Sequence, residues 1–269
     1  MTVYVRMHAG ERAEIEAMRD LWKAAPDPIG AEFGLCEATG GAIAFYSNLQ
    51  PGVRELTRVL GLMQIADLDT FESFFREGGV PRYWISLMPG TALETELERR
   101  GYTPDYAWMK FSRPAGDAPD AHTDLRVEEV GADRALDFAA TAAEAYGVTE
   151  DHVPWLAALP GRAGWACIVS YEGDRPVGTG ALFAHEDVAW FGFAATLPEA
   201  RGRGSQSAIL AHRIVRAAEL GCETCVTETG ERVPDRPSGS YRNILRAGFG
   251  EAYLRPNWRS PVEAAPLAA

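Results

Sequence analysis

The 269-residue chain has four cysteines, no basic excess and no apolar run of membrane length. Four cysteines, Cys36, Cys167, Cys222 and Cys225, do not make a disulfide framework in a chain this long. Cys222 and Cys225 have CxxC spacing, but no second CxxC and no histidine stand nearby, which argues against redox or zinc chemistry. His8, His122, His152, His185 and His212 show no metal-ligand spacing either, so no metal is expected. The formal net charge is −12 and the sequence pI about 4.9. Residues 1–120 and 121–269 each carry six more acidic than basic side chains. Neither part therefore offers a basic domain to hold nucleic acid or an anionic membrane. With no basic-then-apolar leader and no membrane-length run, a cytoplasmic location is expected.

What is present is a core-forming composition: 46% hydrophobic and 24% charged residues, as in soluble globular proteins. The pattern predicts a helix over 11–24 and strands over 42–46, 56–63, 83–87 and 106–111, with helices over 69–76 and 91–100. Residues 113–123, RPAGDAPDAHT, hold almost no large apolar side chains and read as an interdomain linker. A second series follows. Strands are predicted over 125–130, 166–171, 176–184 and 189–195, a further strand over 223–229, and a last one starting at 251. Helices are predicted over 133–146, 205–220 and 240–247, with a short helical piece over 150–159.

The segment VAWFGFAATLPEARGRGSQSAIL, from Val188 to Leu210, organises this second series. A strand leads into the glycine-rich Arg201-Gly202-Arg203-Gly204, and a helix follows. Unpaired backbone N–H groups and the positive end of the helix dipole converge there, which makes an anion cradle. The spacing is neither GxxxxGK[ST] nor GxGxxG, so the usual nucleotide fingerprints do not fit. The order of strand, PEARGRG and helix resembles the acyl-coenzyme-A signature of the GNAT N-acetyltransferase superfamily, [QR]-x-x-G-x-[GA]. Arg201 to Ser205 fits that signature, and Gln206 stands where glycine or alanine is expected.

The helix ending Arg246-Ala-Gly248-Phe249 adds to the resemblance. It also parallels Leu97-Glu-Arg-Arg-Gly101-Tyr102, in each case a helix end followed by glycine, an aromatic residue and a strand. The two glycines lie 147 residues apart, about one domain. We therefore expect an α/β (α+β) protein of two tandem GNAT-like domains, each a mostly antiparallel sheet flanked by helices. Residues 1–112 would be a degenerate copy, 113–123 the linker, and 124–269 the catalytic copy.

The resemblance implies acetyl-coenzyme A as co-substrate and an amine, of a small molecule, as acceptor. By position, Phe193, Ala194 and Ala195 would present backbone groups to the pantetheine arm as an added strand does. Arg201, Arg203, Gly204 and Ser205 would hold the pyrophosphate, and Asn243 would reach the cofactor's arm. Ile244 occupies the place of the family's usual tyrosine acid. Tyr241, one helical turn earlier, is the nearest substitute. Glu228, near the C-terminal end of its strand where ligands of open α/β sheets collect, is the candidate base. A non-catalytic acyl-coenzyme-A-binding or sensing module is the alternative, favoured by Gln206 and Ile244.

Overall fold

The computed structural model describes residues 7–233 and 238–261. Helix α1 (Ala9–Lys23) starts where the His8 ring nitrogen Nδ1 accepts from the Gly10 amide. It buries Ile15, Met18, Leu21 and Trp22 along one stripe. A first series follows: β1 (Phe33–Glu37), β2 (Ile43–Ser47), β3 (Arg58–Leu60), α2 (Ile65–Glu77), β4 (Trp84–Ser86), α3 (Glu94–Arg99) and β5 (Thr103–Pro114). The second begins with β6 (Arg126–Val130), α4 (Ala135–Tyr146), α5 (Val153–Leu156), β7 (Trp165–Glu172), β8 (Arg175–His185) and β9 (Val188–Thr196). It ends with α6 (Ser205–Glu219), β10 (Thr224–Gly230), α7 (Gly239–Arg246) and β11 (Gly250–Arg259).

Strand β1, FGLCE, is absent from the sequence reading because its glycine and cysteine blur the alternation. Strand β5 runs longer than the apolar pattern, taking Arg113 and Pro114 from the expected linker.

Packing divides the chain into two compact units that interleave along the sequence. The larger holds the chain up to Gly30 together with Met109–Tyr253. The smaller holds Ala31–Trp108 and the chain from Leu254. The sequential halves follow the repeat, whereas the compact units follow packing, so the two divisions differ. Helix α1 and the end of β5 come from the first half in sequence and pack in the larger unit.

In the larger unit the strand order is β5-β10-β9-β8-β7-β6, with β9 and β10 parallel and β6 to β9 antiparallel in succession. Successive strand residues face opposite ways. Cys225 packs in the core with Ile209 and Ile214 of α6, while its neighbour Val226 approaches Gly10 of α1. Helices α1 and α6 thus cover opposite faces. Ser170 meets Ser205 of α6, and the next residue, Tyr171, meets Asp137 of α4, so α4 shares the α1 face.

In the smaller unit the order is β1-β2-β3-β4-β11-β5, with β3 and β4 parallel. Its core gathers Leu68, Phe71 and Phe75 of α2 with Val59, Ile85, Leu97 and Trp258. The internal repeat has a common local geometry. Gly101 and Gly248 both adopt φ +83°, the left-handed helix end. The Tyr102 amide donates to Leu97 O at 3.0 Å, and the Phe249 amide to Ile244 O at 3.3 Å. In each series along the chain an antiparallel run leads through a helix to a parallel strand, then through a second helix to a last strand.

Among the described residues no helix is long and apolar enough to cross a membrane, and no group of His, Cys, Asp or Glu is placed to hold a metal.

Candidate active site

The parallel pairing of β9 with β10 runs from Val188–Thr224 to Phe191–Thr227 and stops there, although both strands continue. Just beyond, β9 bulges. Thr179 of β8 partners Ala195, and Ala181 partners Gly192. The single residue Gly180 therefore opposes both Phe193 and Ala194, a β-bulge by count. Phe193 has φ +54°, a rare conformation for a residue with a side chain. The carbonyls along the bulge are all engaged: Arg213 donates to Gly192, Thr179 to Phe193, Tyr146 to Ala194 and Gln206 to Ala195. Phe193, Ala194 and Ala195, expected as backbone contacts, thus sit together where the sheet opens.

The chain then turns through Pro198–Ala200 into the Arg-Gly loop. Arg201 is exposed, and its Nε donates to Thr196 O at 3.1 Å. Gly202 has φ +80° and open space around the position of a Cβ. Gly204 has φ +83°, and a Cβ there would lie 2.1 Å from the His122 carbonyl oxygen. Its glycine is therefore required by backbone conformation and by close approach alike. The segment before β6 is also fastened by Thr123 Oγ1, which donates to Arg203 O at 2.7 Å.

Two of the expected anion ligands are occupied within the protein. Arg203 forms ion pairs with Asp124 and Glu172, both at 2.5 Å. Hydrogen bonding to Arg203 holds the Asp124 carboxyl below its usual range. Ser205 is buried, and its hydroxyl lies 2.8 Å from Ser170 Oγ and 3.3 Å from Thr196 Oγ1. Gln206 turns its amide towards the sheet, bonding Ala195 O at 2.6 Å, Thr196 Oγ1 at 3.0 Å and Thr179 O at 3.1 Å. Its size is thus spent on the bulge. Of the expected anion-binding groups, the backbone of the Arg201–Ser205 loop and the α6 N-terminus stand together with Arg201.

Glu228 follows directly on the last paired residue of β10, on the α1 face with Val226. Its Oε2 accepts from Lys110 Nζ at 2.8 Å, and that ammonium also donates to Glu14 Oε2 at 2.7 Å. Glu11 Oε1 stands 4.0 Å from the same nitrogen and accepts from Tyr253 at 2.5 Å. Side-chain exposure is 3% for Lys110, 0% for Glu14 and 10% for Glu228.

Tyr241 lies elsewhere, on the α6 face, packed edge-on against Phe111 in the core. Its hydroxyl donates to Glu251 Oε1 at 2.6 Å. Burial, then that carboxylate, push its phenol up from the ordinary value. Asn243 is half-buried on α7, and Ile244, one position on, is buried in the same core as Tyr241. The site residues thus fall into three groups: the bulge with its loop, Glu228 with its lysine, and Tyr241 with α7.

The sequence reading omitted Lys110, Glu11 and Glu14. The signal was present: Glu11 and Glu14 begin the same helical stripe as Ile15, Met18 and Leu21, where acidic residues do not belong. Lys110 is one of only two lysines in the chain and lies in an aromatic-rich strand. The omission came from reading residues 1–112 as a separate domain.

No protein-family model matches the chain, and no curated protein matches it in sequence. Its fold is that of the GNAT acetyltransferases. It superposes on a GCN5-related N-acetyltransferase from Kribbella flavida with a TM-score of 0.64 at 18% identity, over 95% of this chain and 97% of that one. It is similar to a GCN5-related N-acetyltransferase from Sphaerobacter thermophilus (TM-score 0.62, 17% identity, 93% and 85% covered). A tandem GNAT protein from the clavulanic acid biosynthesis pathway matches with a TM-score of 0.57 at 10% identity, covering 95% of both chains.

Proposed function

We propose that the larger unit transfers an acetyl group from acetyl-coenzyme A to the amine of a small molecule. The observation that carries this reading is the opening of β9 from β10 at Phe191–Thr227, with a bulge beside it and a glycine-rich helix start after it. An extended pantetheine arm suits the strand edge released there, and a pyrophosphate suits the loop, where Gly202 leaves room for close approach.

Acetyl-coenzyme A supplies, when bound, a thioester whose acetyl carbon bonds the amine nitrogen as the C–S bond breaks and its electron pair leaves on sulfur. The chain's own part is to bind, orient and move a proton. Backbone N–H groups of the Arg201–Ser205 loop and of the α6 N-terminus bind the anion, with Arg201 beside them. Phe193, Ala194 and Ala195 align the arm. Glu228 takes the amine proton, directly or through a water, and Lys110 orients its carboxylate. Tyr241, the acid expected from the sequence, is buried on the α6 face with its hydroxyl donated to Glu251, so it takes no part in this reading and the sulfur leaves as the thiolate. Asn243 lies on the same short helix. No nucleic acid or membrane partner enters this reading.

A second reading, a non-catalytic acyl-coenzyme-A-binding module, draws on buried Ile244 where a tyrosine acid would stand, and on Arg203 being paired internally. One experiment separates the two. Acetyl-coenzyme A is titrated calorimetrically into wild type and Gly202→Asp, which places a charge in open space. Thiol release is then followed with a panel of primary amines. We expect binding weakened about tenfold or more in the variant, near 1.4 kcal/mol, and amine-dependent thiol release by wild type. Binding without release by any amine supports the sensing module. No binding by folded wild type removes both readings.

A further inference from the structure

The bulge of β9 is held from behind by α6. Gln206 and Arg213 are seven residues apart, two turns along one face of the helix. Gln206 caps the Ala195 carbonyl at one end of the bulge. Arg213 caps the other end, with Nη1 donating to Gly192 O at 3.1 Å and to Ala181 O at 3.0 Å. Those carbonyls belong to the strand pair Ala181–Gly192 that borders the bulge. Arg213 is 2% exposed and has no carboxylate partner among the described residues. Its Nε has no hydrogen-bond partner there, and its guanidinium stands over the Phe191 ring at 4.8 Å. Burial pulls its pKa down to about 10, which still leaves it charged at neutral pH. A buried cation spent on two neutral carbonyls is costly, so its placement asks for a reason other than stability.

The peptide unit supplies that reason. Gly192 C=O and Phe193 N–H belong to one planar trans peptide and point in opposite directions. The carbonyl is fixed towards β8, where Ala181 shares the same Arg213 nitrogen. The Phe193 N–H is thereby directed to the other side, where pairing with β10 has ended at Phe191–Thr227. A cation on the carbonyl end of a peptide also strengthens the donor at its nitrogen end.

We infer that Arg213 is a positioning residue, aided by Gln206, that orients and polarises the Phe193 amide as the donor to the thioester oxygen. The inference rests on the acetyl-transfer reading. Arg213 acts through the strand and touches neither substrate nor reacting atoms.

The test uses the full chain with acetyl-coenzyme A labelled with ¹³C at the thioester carbonyl, in wild type, Arg213→Lys and Arg213→Gln. Infrared difference spectra give the carbonyl stretch, calorimetry gives Kd, and ¹⁵N-edited spectra of the ligand-free protein give the Phe193 amide shift. In wild type we expect the bound carbonyl stretch to fall below its free value. In Arg213→Gln it returns towards the free value, with Kd changed by less than about threefold. The Phe193 amide proton moves upfield in the same variant. Arg213→Lys, which keeps the charge, retains most of both effects, an outcome that a purely structural role does not give. An unchanged stretch and amide shift in folded Arg213→Gln overturns the inference and leaves the acetyl-transfer reading standing. If Arg213→Gln does not fold, identical spectra for Gln206→Leu and wild type overturn it instead. Failure of wild type to bind acetyl-coenzyme A overturns the reading, and this inference with it.

Discussion

Lys110 shows how much depends on one side chain. Its ammonium lies between Glu14 and Glu228, at 2.7 and 2.8 Å, with Glu11 at 4.0 Å. A buried pair of this kind is weak evidence for net stability, because desolvation offsets its attraction. Removing one partner is another matter, since the remaining charges stay buried. Lys110→Met should therefore cost roughly 3 kcal/mol or more in urea unfolding. It should also lower turnover by freeing Glu228 to change its orientation. Lys110→Arg keeps the charge and should recover part of the stability, though the larger guanidinium must strain a site packed for an ammonium. A Lys110→Met protein as stable as wild type would mean that the carboxylates find other partners, and would remove the lysine from the mechanism.

Two of the elements around the site, the Arg-Gly loop and α1, each have their own sensitivity. Gly202 and Gly204 share a left-handed backbone, yet only Gly204 is crowded. Gly202→Ala should cost about 1 kcal/mol, the strain of the conformation alone. Gly204→Ala adds a 2.1 Å approach to the His122 oxygen, and should cost on the order of 3 kcal/mol as the segment before β6 is displaced. Equal melting temperatures for the two variants would contradict the close packing of that segment. Helix α1 docks through Asp20, which accepts from Arg162 at 2.7 and 2.9 Å and from Trp165 Nε1 at 2.7 Å. Burial pushes this carboxyl up, but the bonds from Arg162 and Trp165 outweigh it and hold the group below its ordinary 3.8. A depressed pKa contributes stability that is complete above the unfolded value and is lost as pH falls through the folded one. Asp20→Asn should thus destabilise by about 1–2 kcal/mol at pH 7, and by progressively less below pH 3.8. A pH-independent difference would show that the charge is unimportant.

The elements were largely legible in the sequence, because the apolar periods of α1, α6 and the β7–β9 strands are strong. The Gly-aromatic corner at Gly101 and Gly248 carried the repeat for a local reason, since a left-handed helix end followed by a buried aromatic is a demanding combination. The site was less legible. The loop was found because glycine and arginine cluster there in order, but Arg203 and Ser205 turn to partners far away in sequence, at Asp124, Glu172 and Ser170. Lys110 and Glu14 meet across 96 residues, a juxtaposition that no local pattern encodes.

At the scale of the whole molecule, the interleaving of the two units decides what a fragment can do. The linker suggests cutting the chain near residue 118 and expecting 119–269 to fold alone. Packing argues otherwise, because the larger unit takes α1 and the end of β5 from the other side of that cut. Helix α1 packs on β8 and β9 and buries Ile15, Met18, Leu21 and Trp22. At about 2 kcal/mol for each buried side chain, that is roughly 8 kcal/mol of gross burial, set against a net stability of about 5–15 kcal/mol for a whole domain. Trp155 donates to Leu21 O and stacks edge-on with Trp22, so losing α1 also strips a partner from a buried indole. Residues 119–269 alone should therefore show no cooperative thermal transition. Co-expressed with 1–118 they should co-purify and melt cooperatively, since the missing helix and strand are then supplied by the second piece. A cooperative melt of 119–269 alone, within a few degrees of the intact chain, would mean that the second half is complete without α1. The buried lysine would then be ornament to the site and not part of it.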